Sequence, residues 1–284
     1  MHDLTKKSFE LYNSIGYLDR LHSIYPMNSN EIRQIDPTLC SELKIYFEER
    51  DTLNLFNLLL SLDKFPVKDS YKAFFGRCKK YERESIIRAN SSTVERICER
   101  IYALGFNKMI EAISEPKETN RQIGPMFPNW IRSQYPTYSD FDSFINATDK
   151  ISVLAASDSS LIAFATRKLG ISLPKGTDGK EKGLDLVAKI NTSNKPIYVI
   201  GEAKFLTDFG GHQNAQLNDA LNLILNSEFK YSNNNFDVIR VAILDGVCWI
   251  DSSGDKMVKR LKCLNDSQLA LSALYLDDLF NSLK

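Results

Sequence analysis

The first strand-like hydrophobic period in this chain begins near residue 183, and that change bounds the folds open to it. Before that point apolar residues recur at spacings of three and four, as on a helix. After it, GLDLVAKI alternates and PIYVIGEAKFL runs apolar and β-branched, as strands do. In SSTVERICERIYAL the residues Val94, Ile97, Cys98, Ile101 and Leu104 form one stripe. Ser92 with Glu95 has the form of a capping box, and Gly105 stands where a helix stops. SYKAFFGRCKKYERESIIR is a second helical segment, and SDSSLIAFATRKLG a third, closed by Gly170. Between them, Pro116, Pro125, Pro128 and Pro136 with Trp130, Tyr135 and Tyr138 predict an ordered loop, since disordered linkers rarely carry so many aromatics. Beyond residue 183, QLNDALNLIL is helical again. VIRVAILDGVCWID predicts two strands joined by a tight hairpin at Asp245–Gly246, and LALSALYLDDLFNSL begins apolar and ends as an amphipathic helix. The expectation is an α/β protein: a mixed central sheet flanked by helices over residues 146–284, an ordered loop segment at 115–145, and a helical N-terminal region at 1–114.

Composition removes several function classes. The 284 residues carry 36 basic and 36 acidic side chains, so the chain does not coat nucleic acid by net charge, and any such contact must come from a local patch. Five cysteines, an odd number with no CxxC, indicate neither a disulfide framework nor a zinc knuckle. Cys98 and Cys248 fall in apolar stripes and are expected in the core. His2, His22 and His212 are too few and too scattered for a histidine-metal nuclease. No GxxxxGK[ST] loop and no GxSxG elbow occurs. The start, MHDLTKKSFELYN, has no apolar signal region, and LNLFNLLLSL is too short to span a bilayer. A soluble, cytoplasmic protein is expected.

The residues that carry chemistry sit on PIYVIGEAKFL. Side chains alternate faces along a strand, so Tyr198, Ile200, Glu202 and Lys204 share a face that turns from apolar to charged. The short polar turn NTSNK makes GLDLVAKI its neighbour, which brings Asp185 within reach of Glu202. Two converging carboxylates suit a hard cation such as Mg²⁺, and an adjacent ammonium can meet charge on a transferring phosphoryl group. ExK triplets also occur at Glu42–Lys44, Glu115–Lys117 and Glu228–Lys230, but only Glu202–Lys204 lies on an apolar strand behind a strand-borne Asp.

GLDLVAKI followed by IGEAKFL, with flanking helices, resembles the PD-(D/E)xK nuclease core over roughly residues 150–250. With EAKFLTDFGGHQNAQLNDAL and the helical N-terminal half, the chain looks most like a type II restriction endonuclease. Leu184 stands where the motif's name has Pro. The resemblance implies that Asp185, Glu202 and the Ala203 carbonyl ligate Mg²⁺ and that Lys204 is the catalytic lysine. It also implies cleavage of double-stranded DNA to 5′-phosphate and 3′-hydroxyl ends, and a cognate DNA methyltransferase. A two-fold homodimer is the simplest way to cut both strands of a palindrome. Lys117, Asn120, Arg121 and Gln122 in the 115–145 segment, and His212, Gln213 and Gln216 after the strand, are candidates for contacts to DNA, since Arg, Asn and Gln read base edges. RCKKYER and KMVKRLK are basic enough to touch phosphates, although a solvated face is the plainer reading of each. A repair or junction-resolving nuclease of the same core, and a non-catalytic DNA-binding protein, are the alternatives.

Overall fold

The computed structural model describes residues 1–26, 34–77, 79, 81–115, 123–175, 181, 183–226, 235–251 and 255–284. The chain forms two compact units: Met1–Met27 with Asn120–Lys284, and Asn28–Thr119. The expected segments 1–114, 115–145 and 146–284 divide the chain differently. Its first 27 residues cluster with the C-terminal portion, because α1 (Asp3–Leu11) and α2 (Tyr17–His22) insert Leu4, Leu11, Tyr17 and Leu21 into the core of the sheet. Their i, i+3, i+4 pattern is read easily from sequence, but the surface it meets lies more than two hundred residues away.

The second unit consists of α3 (Pro37–Glu48), α4 (Thr52–Ser61), α5 (Lys72–Arg77), α6 (Arg83–Ala89), α7 (Ser91–Leu104) and α8 (Phe106–Ser114). Val94, Ile97, Cys98 and Ile101 of α7 are buried against Leu43, Leu55, Phe56 and Leu59, so the predicted stripe is its inward face. Gly105 ends α7 at φ 86°, as expected. The capping box does not form. Helix α7 begins at Ser91, and Asn90 turns its amide back to the Ile86 carbonyl at the end of α6, leaving Ser92 inside the helix.

In the first unit, the segment expected to be a loop carries α9 (Met126–Gln134), β1 (Thr137–Tyr138) and α10 (Phe141–Asn146). Pro128 falls in the first turn of α9, where a missing N–H costs no helical bond, so the proline cluster marks helix starts as much as loops. There follow β2 (Ile151–Leu154), α11 (Asp158–Ala163) running into a π turn, β3 (Leu186–Ile190), β4 (Ile197–Leu206), α12 (Gly211–Leu225), β5 (Asp237–Gly246), α13 (Lys256–Lys262), β6 (Leu269–Leu271) and α14 (Leu276–Ser282). Among the described residues the sheet has six strands in the order β1 to β6. The β2–β3 and β3–β4 pairs are antiparallel, whereas β1–β2, β4–β5 and β5–β6 are parallel. This is the mixed sheet flanked by helices that the period change predicts.

The hairpin expected at Asp245–Gly246 is absent. Strand β5 runs unbroken through Gly246, and β6 returns parallel to it after α13. Asp245 is fully buried, accepting hydrogen bonds from the Tyr25 and Ser272 hydroxyls and the Ala273 amide, so it is a bonding hub inside the fold. Gly246 (φ 90°) is required for a separate reason: a Cβ there would stand 2.1 Å from the Leu206 carbonyl oxygen of β4.

Both faces of the sheet are covered. Val199, Val241, Ile243 and Leu271 face α1, α2, α9 and α14, while Tyr198, Ile200, Ala242 and Leu244 face α12 and its neighbours. Glu202 and Lys204 therefore emerge on the α12 side of a strand that is dry for most of its length.

Candidate active site

The site exists because β3 starts late. Its first residue, Leu186, pairs with Gly201, but β4 continues five residues further, paired on its other side with β5 as far as Gly246. Beyond Gly201 the β3 edge of β4 has no strand partner among the described residues, and Asp185 takes that place. Its backbone N–H donates to the Gly201 carbonyl (2.9 Å), and its carboxylate accepts the Ala203 N–H (2.8 Å). Residues two apart on a strand turn their backbone groups to the same side, so the Ala203 carbonyl also faces the Asp185 edge.

This bend also accounts for a difference from the alternation expected of GLDLVAKI. Leu186 and Ala188 pack on one face of the sheet, but Leu184 joins Val187 on the other. The chain turns at Asp185 before the pleat begins.

Lys204 Nζ lies 3.0 Å from Glu202 Oε1 and 3.8 Å from Asp185 Oδ2. Glu202 is 5 % exposed, and the side chains of Asp185 and Lys204 are about a quarter exposed. The three residues singled out from the sequence thus meet at one point. Burial raises the pKa of both Asp185 and Glu202, and Lys204 offsets part of that effect in each. Burial alone would lower Lys204. The attraction of Glu202, then of Asp185, outweighs it, and its ammonium is held above the ordinary lysine range. Two carboxylates that are costly to ionise and one cation that cannot neutralise both leave the cluster short of positive charge.

A cavity of about 180 Å³ opens on this point, lined by Asp185, Ala203, Lys204 and Phe205 together with Tyr25, Ile123, Gly124, Phe127 and Gln216. Tyr25 stands edge-on to Phe205, with ring centroids 4.8 Å apart, and is pinned through its hydroxyl to Asp245. The aromatic wall was not foreseen from sequence, since Tyr25 and Phe127 reach the site only through tertiary packing. The one available signal was that they recur at helical spacing with other core residues.

Of the other candidate residues, Gln216 lines the cavity and bonds exposed His212 (3.1 Å). Gln213 is turned inward, its amide bonding Thr207 in the turn after β4, which leaves it closing that turn. Lys117, Asn120, Arg121 and Gln122 lie outside the described residues. Among the described residues no three His, Cys, Asp or Glu side chains form a metal-holding group. The donor set is two carboxylates and a backbone carbonyl. An all-oxygen set of this size fits Mg²⁺, which keeps several waters and takes only one or two carboxylates from a protein.

The family model of the Tsp45I type II restriction enzymes matches residues 3–283. The chain belongs to that family. It is therefore a site-specific deoxyribonuclease, a sequence-specific DNA endonuclease with double-stranded DNA as its substrate. Comparison with curated proteins and with solved structures returns no match. The match spans both compact units, so the family likeness covers the helical one as well as the sheet. No helix among the described residues is long and apolar enough to cross a membrane.

Proposed function

We propose that the cluster at the end of β4 is the hydrolytic centre of this endonuclease and that its core is of the PD-(D/E)xK type. In this reading Asp185, Glu202 and the Ala203 carbonyl hold Mg²⁺, and Lys204 serves the phosphate. The observation that carries it is the contact of one ammonium with a buried carboxylate, Glu202, and a partly exposed one, Asp185, beside a cavity that Lys204 and Asp185 line.

Bound there, Mg²⁺ would supply positive charge against the phosphate oxygens and ease deprotonation of the attacking water. The protein's own residues do the rest. The Ala203 N–H fixes the Asp185 carboxylate, and Glu202 holds the Lys204 ammonium beside the cavity. There Lys204 can donate to a phosphate oxygen as negative charge grows on it. Water adds to phosphorus, the bond to the 3′ oxygen breaks, and the products are a 5′-phosphate and a 3′-hydroxyl. Tyr25, Phe127 and Phe205 narrow the cavity and limit bulk water around the reacting group. Cutting both strands then requires two such centres, which a homodimer provides, and a methyltransferase of matching specificity would protect the host genome. Two observations support this reading, the donor set and the family.

The test is digestion of a fully sequenced DNA with Mg²⁺, followed by mapping of the ends. Discrete fragments with ligatable 5′-phosphates are expected. Absence of cutting with Mg²⁺ and with Mn²⁺ would reject the assignment.

A further inference from the structure

The helical unit has a polarised charge that the catalytic reading does not use. Residues 36–63 carry six acidic and two basic side chains, whereas residues 64–88 carry eight basic and three acidic ones. In and around the basic stretch, three large aromatic side chains stand in solvent: Tyr71 (65 % exposed), Phe74 (61 %) and Tyr81 (77 %). Exposed aromatic faces next to cations can stack on or pack against a bound partner.

One ion-pair cluster in this region is built around Asp69. Its carboxylate, only 5 % exposed, accepts the Tyr71 backbone N–H and binds two arginines of α7, with Arg96 Nη1 at 2.8 Å and Arg100 Nη1 at 3.1 Å. Arg96 and Arg100 stand one helical turn apart, a spacing at which like charges repel. One arginine would neutralise Asp69, so the second leaves an excess positive charge at the surface. Each arginine side chain is about half exposed, and a guanidinium has five donors, more than Asp69 occupies. The Arg96 guanidinium lies 5.6 Å from the Tyr71 ring centroid, and Lys79 Nζ lies 5.6 Å from that of Tyr81.

We infer that this face is a docking surface for the sugar–phosphate backbone of duplex DNA, with Arg96 and Arg100 as a phosphate fork held in shape by Asp69 and with Tyr71 beside it. Arginine forks onto phosphate oxygens in a way that a flexible lysine does not, and a pre-set fork loses less entropy on binding. Duplex DNA is favoured over a protein partner by the charge, since the surrounding stretch is basic by five charges in a chain that is neutral overall. The inference rests on the endonuclease reading for the identity of the polyanion and does not depend on which side chains cut.

The experiment is fluorescence anisotropy of the full-length protein with a labelled duplex in Ca²⁺, over a series of salt concentrations. Arg96→Gln/Arg100→Gln is expected to weaken binding on the order of tenfold, for duplexes with or without a cleavage site. The slope of log K against log salt should fall by about two. Arg96→Lys/Arg100→Lys, which keeps the charge, should restore most of the slope. A folded double glutamine variant with wild-type affinity and slope would overturn the proposal, and so would a wild-type protein that binds no duplex. Should that variant not fold, Lys79→Gln, at an exposed position, is expected to lower the slope by about one, and an unchanged slope would overturn the proposal. A variant whose DNA binding is unchanged but whose self-association is lost would assign the face to a second copy of the chain and likewise overturn it. Wild-type protein that binds DNA yet never cuts would reject the catalytic assignment alone.

Discussion

Lys204 stands beside one buried acid, Glu202, and one partly exposed acid, Asp185, and in the proposed centre it serves the phosphate. Lys204→Ala removes the only cation that contacts both Asp185 and Glu202 among the described residues, so cleavage should fall by at least about 10²-fold, the cost typical of removing one preorganised stabiliser. Single-turnover cutting of a defined duplex measures this. Asp245 makes a separate prediction about stability. Burial raises its pKa from 3.8 to about 6, so the folded protein holds this proton more tightly than the unfolded chain does. The resulting stabilisation is complete below about pH 3.8 and is lost as pH rises through 6. Its full size is about 3 kcal/mol. Urea titrations should therefore show wild type losing stability relative to Asp245→Asn between pH 4 and pH 7, and parallel curves would refute this. The three catalytic candidates were legible as residues because a strand's two-residue period puts Glu202 and Lys204 on one face. Asp245 was misread because Asp-Gly is a turn signal, and only the distant partners Tyr25 and Ser272 make a buried acid tolerable.

At the level of elements, the offset between β3 and β4 creates the site, and the join between β4 and β5 holds it. Gly246→Ala would drive a methyl group into the Leu206 carbonyl at a backbone angle that L residues rarely adopt. A loss of at least about 2 kcal/mol is expected, read as a lowered denaturant midpoint, and an unchanged midpoint would show that β5 can shift away from β4 at little cost. Strand pairing was legible where a short polar turn joins neighbours, as between β3 and β4. It was not legible for β5 and β6, because parallel neighbours are joined through α13 and no local signal records which strands meet. The same limit hid the docking of α1 and α2 on the sheet. Their amphipathic pattern says that a face is buried, while the identity of its partner is a long-range property.

On the scale of the whole molecule, the sheet unit carries the proposed catalytic acids and lysine, and the helical unit carries the basic, aromatic-rich stretch proposed to meet DNA. A homodimer is expected, with a sedimentation mass near twice 32.3 kDa, and a monomer persisting with bound DNA would contradict the symmetric arrangement. The period change near residue 183 marked the onset of the strands but not the boundary between the units, because helices belong to both. If Asp185, Glu202 and Lys204 form one metal-dependent centre, the rate of duplex cleavage against Mg²⁺ concentration should separate wild type from Glu202→Gln, which keeps the side chain's shape and removes its charge. Wild type should saturate with Mg²⁺ while Glu202→Gln stays inert throughout the titration, and overlapping curves for the two proteins would show that Glu202 holds no metal needed for cutting.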